Sequence, residues 1–223
     1  MPIDQAYRRL LEAYGPQHWW PAQTPMEMIV GAVLVQHTAW RNVERAITQL
    51  QAAGLLEPGP LARAPQEELA QLIRVAGPHR VKARRLQCVA QFIVDRYGGS
   101  LDAMFADDPQ TLRASLLGVH GIGPETADCI MNYGAGAPRF VVDAYARRVA
   151  GRHGWLDAKA PYAAVQQWFE SRLPADAPLL GELHALIVKV GVEHCRPTPR
   201  CAGCPLECML PGAGSHDDEP QSH

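Results

Sequence analysis

Two stretches of the chain hold residue types that can do chemistry at close spacing. The first is GVHGIGPETADCIMNYGAGAPRFVVDAYARR, residues 118–148, in which Gly121 and Gly123 flank one apolar residue, Glu125 follows a proline, and Asp143 closes an apolar run. The second is HCRPTPRCAGCPLEC, residues 194–208, which sets Cys195, Cys201, Cys204 and Cys208 at the spacing C-x5-C-x2-C-x3-C. A glycine turn ahead of a helix leaves backbone N–H groups open to a phosphate, because no side chain intervenes and the helix dipole favours an anion. A lone carboxylate can stabilise positive charge developing in a transition state or direct a water molecule. Its alternative role, at the start of a helix over 144–153, is an ordinary N-cap. Four thiolates on one short proline-rich loop suit a 4Fe-4S cluster, with a tetrahedral zinc site as the second choice.

The elements that must position these groups read as helices. Apolar periodicity predicts them over 25–35, 42–53, 66–75, 81–97, 109–117, 124–133, 144–153, 162–172 and 178–192, and no run of alternating β-branched residues appears, so the fold class is all-α. VHGIG between two of them makes a helix-hairpin-helix, with Pro124 in the first turn, where a missing N–H costs nothing. Cys88 and Cys129 fall on helices and read as small apolar residues.

Composition sets the limits. The chain has 223 residues, 47% of them hydrophobic, enough for one large domain or two small lobes, and no apolar run of eighteen to suggest a membrane span. Its first fifteen residues lack the apolar block of a signal peptide, so a cytoplasmic location is expected, and clustered cysteines there favour metal over disulfides. The net charge is −2, but three acids and no Lys or Arg lie in the last twelve residues, so the rest of the chain carries +1. Residues 211–223 are expected to be disordered. Basic residues gather at Arg80, Lys82, Arg84 and Arg85 and again at Arg139, Arg147, Arg148 and Arg152; taken one cluster at a time these are solvated helix faces.

In combination, QHTAW at 36–40, AGPHRVKARRL at 76–86, the hairpin, FVVDAYARR and the final cysteines resemble, in order and over nearly the whole chain, the helix-hairpin-helix DNA glycosylases of the endonuclease III superfamily. The resemblance implies two helical lobes: a barrel domain over 22–135 containing the hairpin motif at 109–134, and a second lobe of 1–21 plus 136–210 with a 4Fe-4S loop at 195–208. It implies base excision repair on double-stranded DNA containing a damaged base, by a monomer, with Asp143 as the catalytic acid at the mouth of a pocket between the lobes. Gln36 matches the position that inserts into the gap left by a flipped nucleotide, and His79, Arg80, Lys82, Gly121, Gly123 and Arg147 are the expected DNA contacts. A second inserting position falls at Pro78 and His79, where no long apolar side chain stands.

Position 125 departs from part of the family. Bifunctional members have a lysine there, whose amine attacks the sugar and permits strand cleavage; Glu125 cannot form a Schiff base, so the resemblance implies a monofunctional glycosylase with weak or absent lyase activity. The last cysteine spacing is shorter than in endonuclease III. Trp19, Trp20 and Trp40 resemble the aromatic residues that stack on alkylated purines in the related 3-methyladenine DNA glycosylases, a match to a cationic base; core filling is their alternative role. Oxidised pyrimidines are the other substrate class, with a bifunctional endonuclease III-type enzyme and a non-catalytic iron-sulfur DNA-binding protein as the competing readings.

Overall fold

Prolines open helices in this protein instead of breaking them. The computed structural model describes residues 2–211. Among them the helices are α1 (Pro2–Tyr14), α2 (Pro25–Leu34), α3 (Trp40–Ala52), α4 (Pro58–Arg63), α5 (Gln66–Leu72), α6 (His79–Tyr97), α7 (Leu101–Phe105), α8 (Pro109–Leu117), α9 (Pro124–Cys129), α10 (Ala144–Arg152), α11 (Tyr162–Glu170) and α12 (Ala177–Glu193). A proline occupies the first or second position of α2, α4, α8, α9 and α12, where its fixed φ is already helical and no donor is missed. Thr24, Asp108 and Asp176 cap α2, α8 and α12 with side-chain oxygens that accept from Glu27, Thr111 and Leu179 N–H groups, satisfying donors that a helix start leaves open. No strand occurs among the described residues, so the class is all-α as expected. The tail expected at 211–223 lies, beyond Pro211, outside the described residues.

The helix expected at 124–133 is in fact two pieces. After α9 the backbone widens into a π-helical turn, Ile130–Gly134. The short helices α4 and α7 have no counterpart in the periodicity, because six and five residues are too few to show a period.

Contacts divide the chain into two compact units. One is Trp20–Ala137; the other joins the chain up to Trp19 with the chain from Pro138 onward. The first is built around α2, which is apolar on every side and buries Met26, Ile29, Val30, Val33 and Leu34. Leu50, Leu69, Leu86, Leu112 and Ile130 pack into the same core. In the second unit α1 buries Ile3, Ala6 and Leu10, the i, i+3, i+7 stripe of an amphipathic helix. Leu180, Leu183, Ile187 and Val190 of α12 share its core with Val149 of α10 and Val165 of α11, and Phe140 stacks on Phe169 with ring centres 3.9 Å apart.

Candidate active site and cysteine loop

The hairpin is fastened before it is shaped. Arg113 on α8 reaches Asp128 on α9 through two parallel bonds of 2.7 and 2.9 Å, and Asp128 is fully buried, so the pair joins the two helices with the geometry that makes Arg–carboxylate bonds strong. Between them Ile122 turns inward and its N–H donates to Val119 O. Gly121 is required twice over: its φ is +84°, and a Cβ there would stand 2.3 Å from Cγ of Arg85. Gly123 is different. Its φ of −95° is ordinary extended backbone, and the space a Cβ would fill is open.

Glu125, in the first turn of α9, is half-buried and accepts a hydrogen bond of 3.0 Å from the Gln36 side-chain amide. Gln36 lies two residues beyond the end of α2, and the next residue, His37, has a φ of +56°, a conformation uncommon outside glycine. Lys82 was expected to contact phosphate, and the structure places it elsewhere. It is 2% exposed, and its Nζ donates to the carbonyls of Leu34, Gln36 and Ala76 at 2.8, 2.6 and 2.6 Å. Burial, and secondarily the charge of Arg85, lowers its pKa to about 8, so at neutral pH it keeps all three protons for three carbonyls. Replacing Lys82 by Met leaves these acceptors without their donor. The expected cost is about 2–4 kcal/mol, read as a fall in melting temperature of roughly 5–15 °C. Arg80, by contrast, is exposed and paired with exposed Glu67, and His79 sits beside Gly77 O.

Trp20 and Trp40 come together over Gly31 of α2. Their rings meet edge to face at 5.2 Å, and Tyr133, delivered by the π-helical turn, lies 5.3 Å from Trp20. A Cβ at Gly31 would come within 3.2–3.3 Å of both indoles, so that glycine lets the two rings settle on the helix backbone. The Trp40 indole N–H donates to Glu44, which puts a carboxylate at the edge of the cluster. Trp19 is half-buried and belongs to the other unit. Tyr133 was not anticipated; its only sequence signal is its place at the end of the predicted helix that the hairpin opens.

Asp143 caps α10. Its Oδ1 accepts from Ala146 N–H at 2.7 Å, and its Oδ2 lies 3.6 Å from Nε2 of His184 on α12. The chain leading to it is braced by α11: Phe140 N–H donates to Glu170, Phe140 O accepts from Gln166, and Val142 N–H donates to the Tyr162 hydroxyl. Arg139 ties into the same set through Gln166. The carboxylate is therefore held from both sides, while its side chain keeps 14% exposure. Arg147, on the next turn, donates to Ala160 O, which fixes the loop before α11. His184 is buried and was missed because a single histidine within the apolar run LHALIV reads as a core residue.

The cysteine loop closes over the far end of α10. Cys195, Cys201 and Cys204 line one cavity together with Val149, Val190, Leu206 and Leu210, and Cys208 follows on a short 3-10 turn, Glu207–Met209, where it is exposed. Arg152 donates to Cys195 Sγ at 3.3 Å and to the carbonyls of Arg196 and Pro197. Burial, and then the neighbouring Cys201 and Cys195, pushes the Cys204 thiol up. These are donors gathered in an apolar setting with one cation already facing them. Cys129 is buried as expected, and Cys88 half-buried.

With the hairpin, the capped aspartate and the cysteine loop in place, known proteins can be compared. A profile of the HhH-GPD superfamily of base excision DNA repair proteins matches residues 30–175. The chain belongs to this superfamily. A Methanocaldococcus jannaschii protein that carries the name of a DNA repair glycosylase by similarity is 43% identical to this HhH-GPD chain over 92% of it and 94% of the relative, and endonuclease III of Thermotoga maritima is 29% identical over 92% and 90%. Among solved structures, endonuclease III trapped as a covalent intermediate with DNA superposes with a TM-score of 0.80 at 23% identity, covering 95% of both chains. That likeness establishes the HhH-GPD fold, and the family is one of DNA glycosylases.

Proposed function

We propose that this HhH-GPD protein is a monofunctional DNA glycosylase that releases an alkylated purine from double-stranded DNA, and that Asp143 is its catalytic residue. The observation that carries the reading is the kind of residue at each of the two positions that decide the chemistry: a braced carboxylate at 143 and a carboxylate, not an amine, at 125. The target nucleotide must leave the stack to be reached, with Gln36 filling the gap. The bond between sugar C1′ and the base nitrogen then breaks, and its electron pair leaves with the base; a cationic alkylpurine departs as a neutral molecule. Asp143 faces the positive charge that grows on the sugar, which a preorganised carboxylate stabilises most in the transition state. Water adds to C1′ and gives up a proton, and the product is an intact strand with an abasic site. No covalent enzyme–sugar bond forms, since Glu125 has no amine to offer.

Trp20, Trp40 and Tyr133 supply the preference for a cationic base, aided by the Glu44 carboxylate at their edge. Ala at Trp20 or Trp40 is expected to slow release of 3-methyladenine by roughly 5–150-fold, the equivalent of about 1–3 kcal/mol per lost stack, while binding to an abasic-site duplex stays nearly constant. The test is single-turnover release of 3-methyladenine and of thymine glycol by the wild type and both variants. Faster release of thymine glycol, with the variants damaged only in melting temperature, would make these side chains core and oxidised pyrimidines the substrate.

The cysteine loop suits a 4Fe-4S cluster. Among the described residues no three His, Cys, Asp or Glu side chains stand close enough to share one ion. A four-iron cluster needs a wider setting, because each thiolate binds a different iron, and three of the four thiols already line one apolar cavity. Cys195, Cys201, Cys204 and Cys208 would hold it, with Arg152 donating to the Cys195 sulfur. Bound there, it supplies Fe–S bonds that cross-link the loop, and a redox-active centre.

A further inference from the structure

The segment that follows α2 is held at two levels. Beneath it, the buried Lys82 ammonium binds the carbonyls of Leu34 and Gln36; above, the Gln36 side chain donates to Glu125 across 89 residues of sequence. Immediately after these anchors His37 adopts its left-handed conformation, which persists only where the surroundings over-determine it. Lys82 fixes the backbone of Gln36 but leaves three side-chain torsions free. The contact with Glu125 removes that freedom, and it also settles which way the amide points. An ionised carboxylate only accepts, so the NH2 group must face Glu125 and the amide oxygen must face away from it.

We propose that Glu125 is a positioning residue for Gln36, holding its amide in one orientation so that the side chain is set before it enters the duplex. This rests on the reading of Gln36 as the residue that fills the gap left by the flipped nucleotide. It gives Glu125 a task that depends on its being an acceptor. A lysine at 125 could not do it, because an ammonium donates to an amide oxygen and turns the amide the other way. Preorganisation of this kind lowers the entropy lost when a flexible side chain is immobilised on binding.

The experiment uses the full chain and a duplex with a tetrahydrofuran abasic analogue opposite 2-aminopurine, whose fluorescence reports the stacking of the orphaned base. Insertion is followed by stopped flow for the wild type, Glu125→Ala, Glu125→Gln, Gln36→Ala and the double variant Gln36→Ala/Glu125→Ala. Glu125→Ala is expected to slow the fluorescence change about fivefold to tenfold, in the range of one lost hydrogen bond. Glu125→Gln, which still accepts through its amide oxygen, should recover most of that loss. In the Gln36→Ala background, removing Glu125 should have no further effect. Wild-type kinetics in Glu125→Ala, or additive losses in the double variant, would overturn the proposal. Because the analogue carries no base to excise, the result does not depend on catalysis. A protein that inserts normally but releases no lesion base would refute the glycosylase reading and leave this one standing.

Discussion

Asp143→Asn is expected to lower single-turnover base release by about a thousandfold, in the range seen when a positioned charge is removed from a reacting centre, while binding to an abasic-analogue duplex is retained. Asparagine keeps the shape and the acceptor. Its side-chain oxygen still accepts from Ala146 N–H, so the cap on α10 survives, and its shape still fits beneath His184. Only the negative charge goes. Asp143→Ala is the comparison that separates the two roles: it removes the cap as well, at about 1 kcal/mol, and its melting temperature should fall by a few degrees where that of Asp143→Asn does not. An asparagine variant with unimpaired release would leave Asp143 a helix cap and nothing more.

The second large effect concerns the cysteine loop. Protein prepared without oxygen should be brown and contain about four irons per chain. Cys201→Ser or Cys204→Ser should abolish most of the iron and melt the protein at a markedly lower temperature. Val149, Val190 and Leu206 line the cavity that the cysteines share, and this apolar wall packs into the core that α10 and α12 build. Removing the cross-link therefore loosens more than a surface loop. Arg152 sharpens the expectation, since its guanidinium already faces the Cys195 sulfur and two loop carbonyls. Zinc in place of iron, at one ion per chain, would contradict the assignment.

How much of this was legible in the sequence depends on the scale of the signal. Long helices with a full apolar stripe, such as α3, α6 and α12, announce themselves through periodicity. The capping role of Asp143 is equally local: an acid preceding a helix start reads directly as an N-cap. Contacts between distant residues are another matter. Nothing near position 82 says that its lysine will be swallowed by the carbonyls of residues 34, 36 and 76, because a lysine among arginines on a predicted helix reads as a charged surface. The Gln36–Glu125 bond was hidden for the same reason, although both residues had been singled out separately. Tyr133 joins Trp20 because the backbone leaves the α-helical register at Ile130, a change of pitch that a 3.6-residue period cannot foresee. The glycine turn at Gly121 is legible in the sequence, but the stem of Arg85 lying against it appears only in three dimensions.

Hydrolysis of the glycosidic bond without cleavage of the strand can be read on a denaturing gel. A duplex labelled on the strand that carries an alkylated purine is incubated with the wild-type protein, and samples are run before and after heating in alkali, with a parallel sample treated with borohydride. The expected result is a full-length strand before alkali, a single cut at the lesion after it, and no protein–DNA adduct above background. A strand already nicked before alkali, together with an adduct trapped by borohydride, would show an amine at work on the sugar and rule out simple hydrolysis.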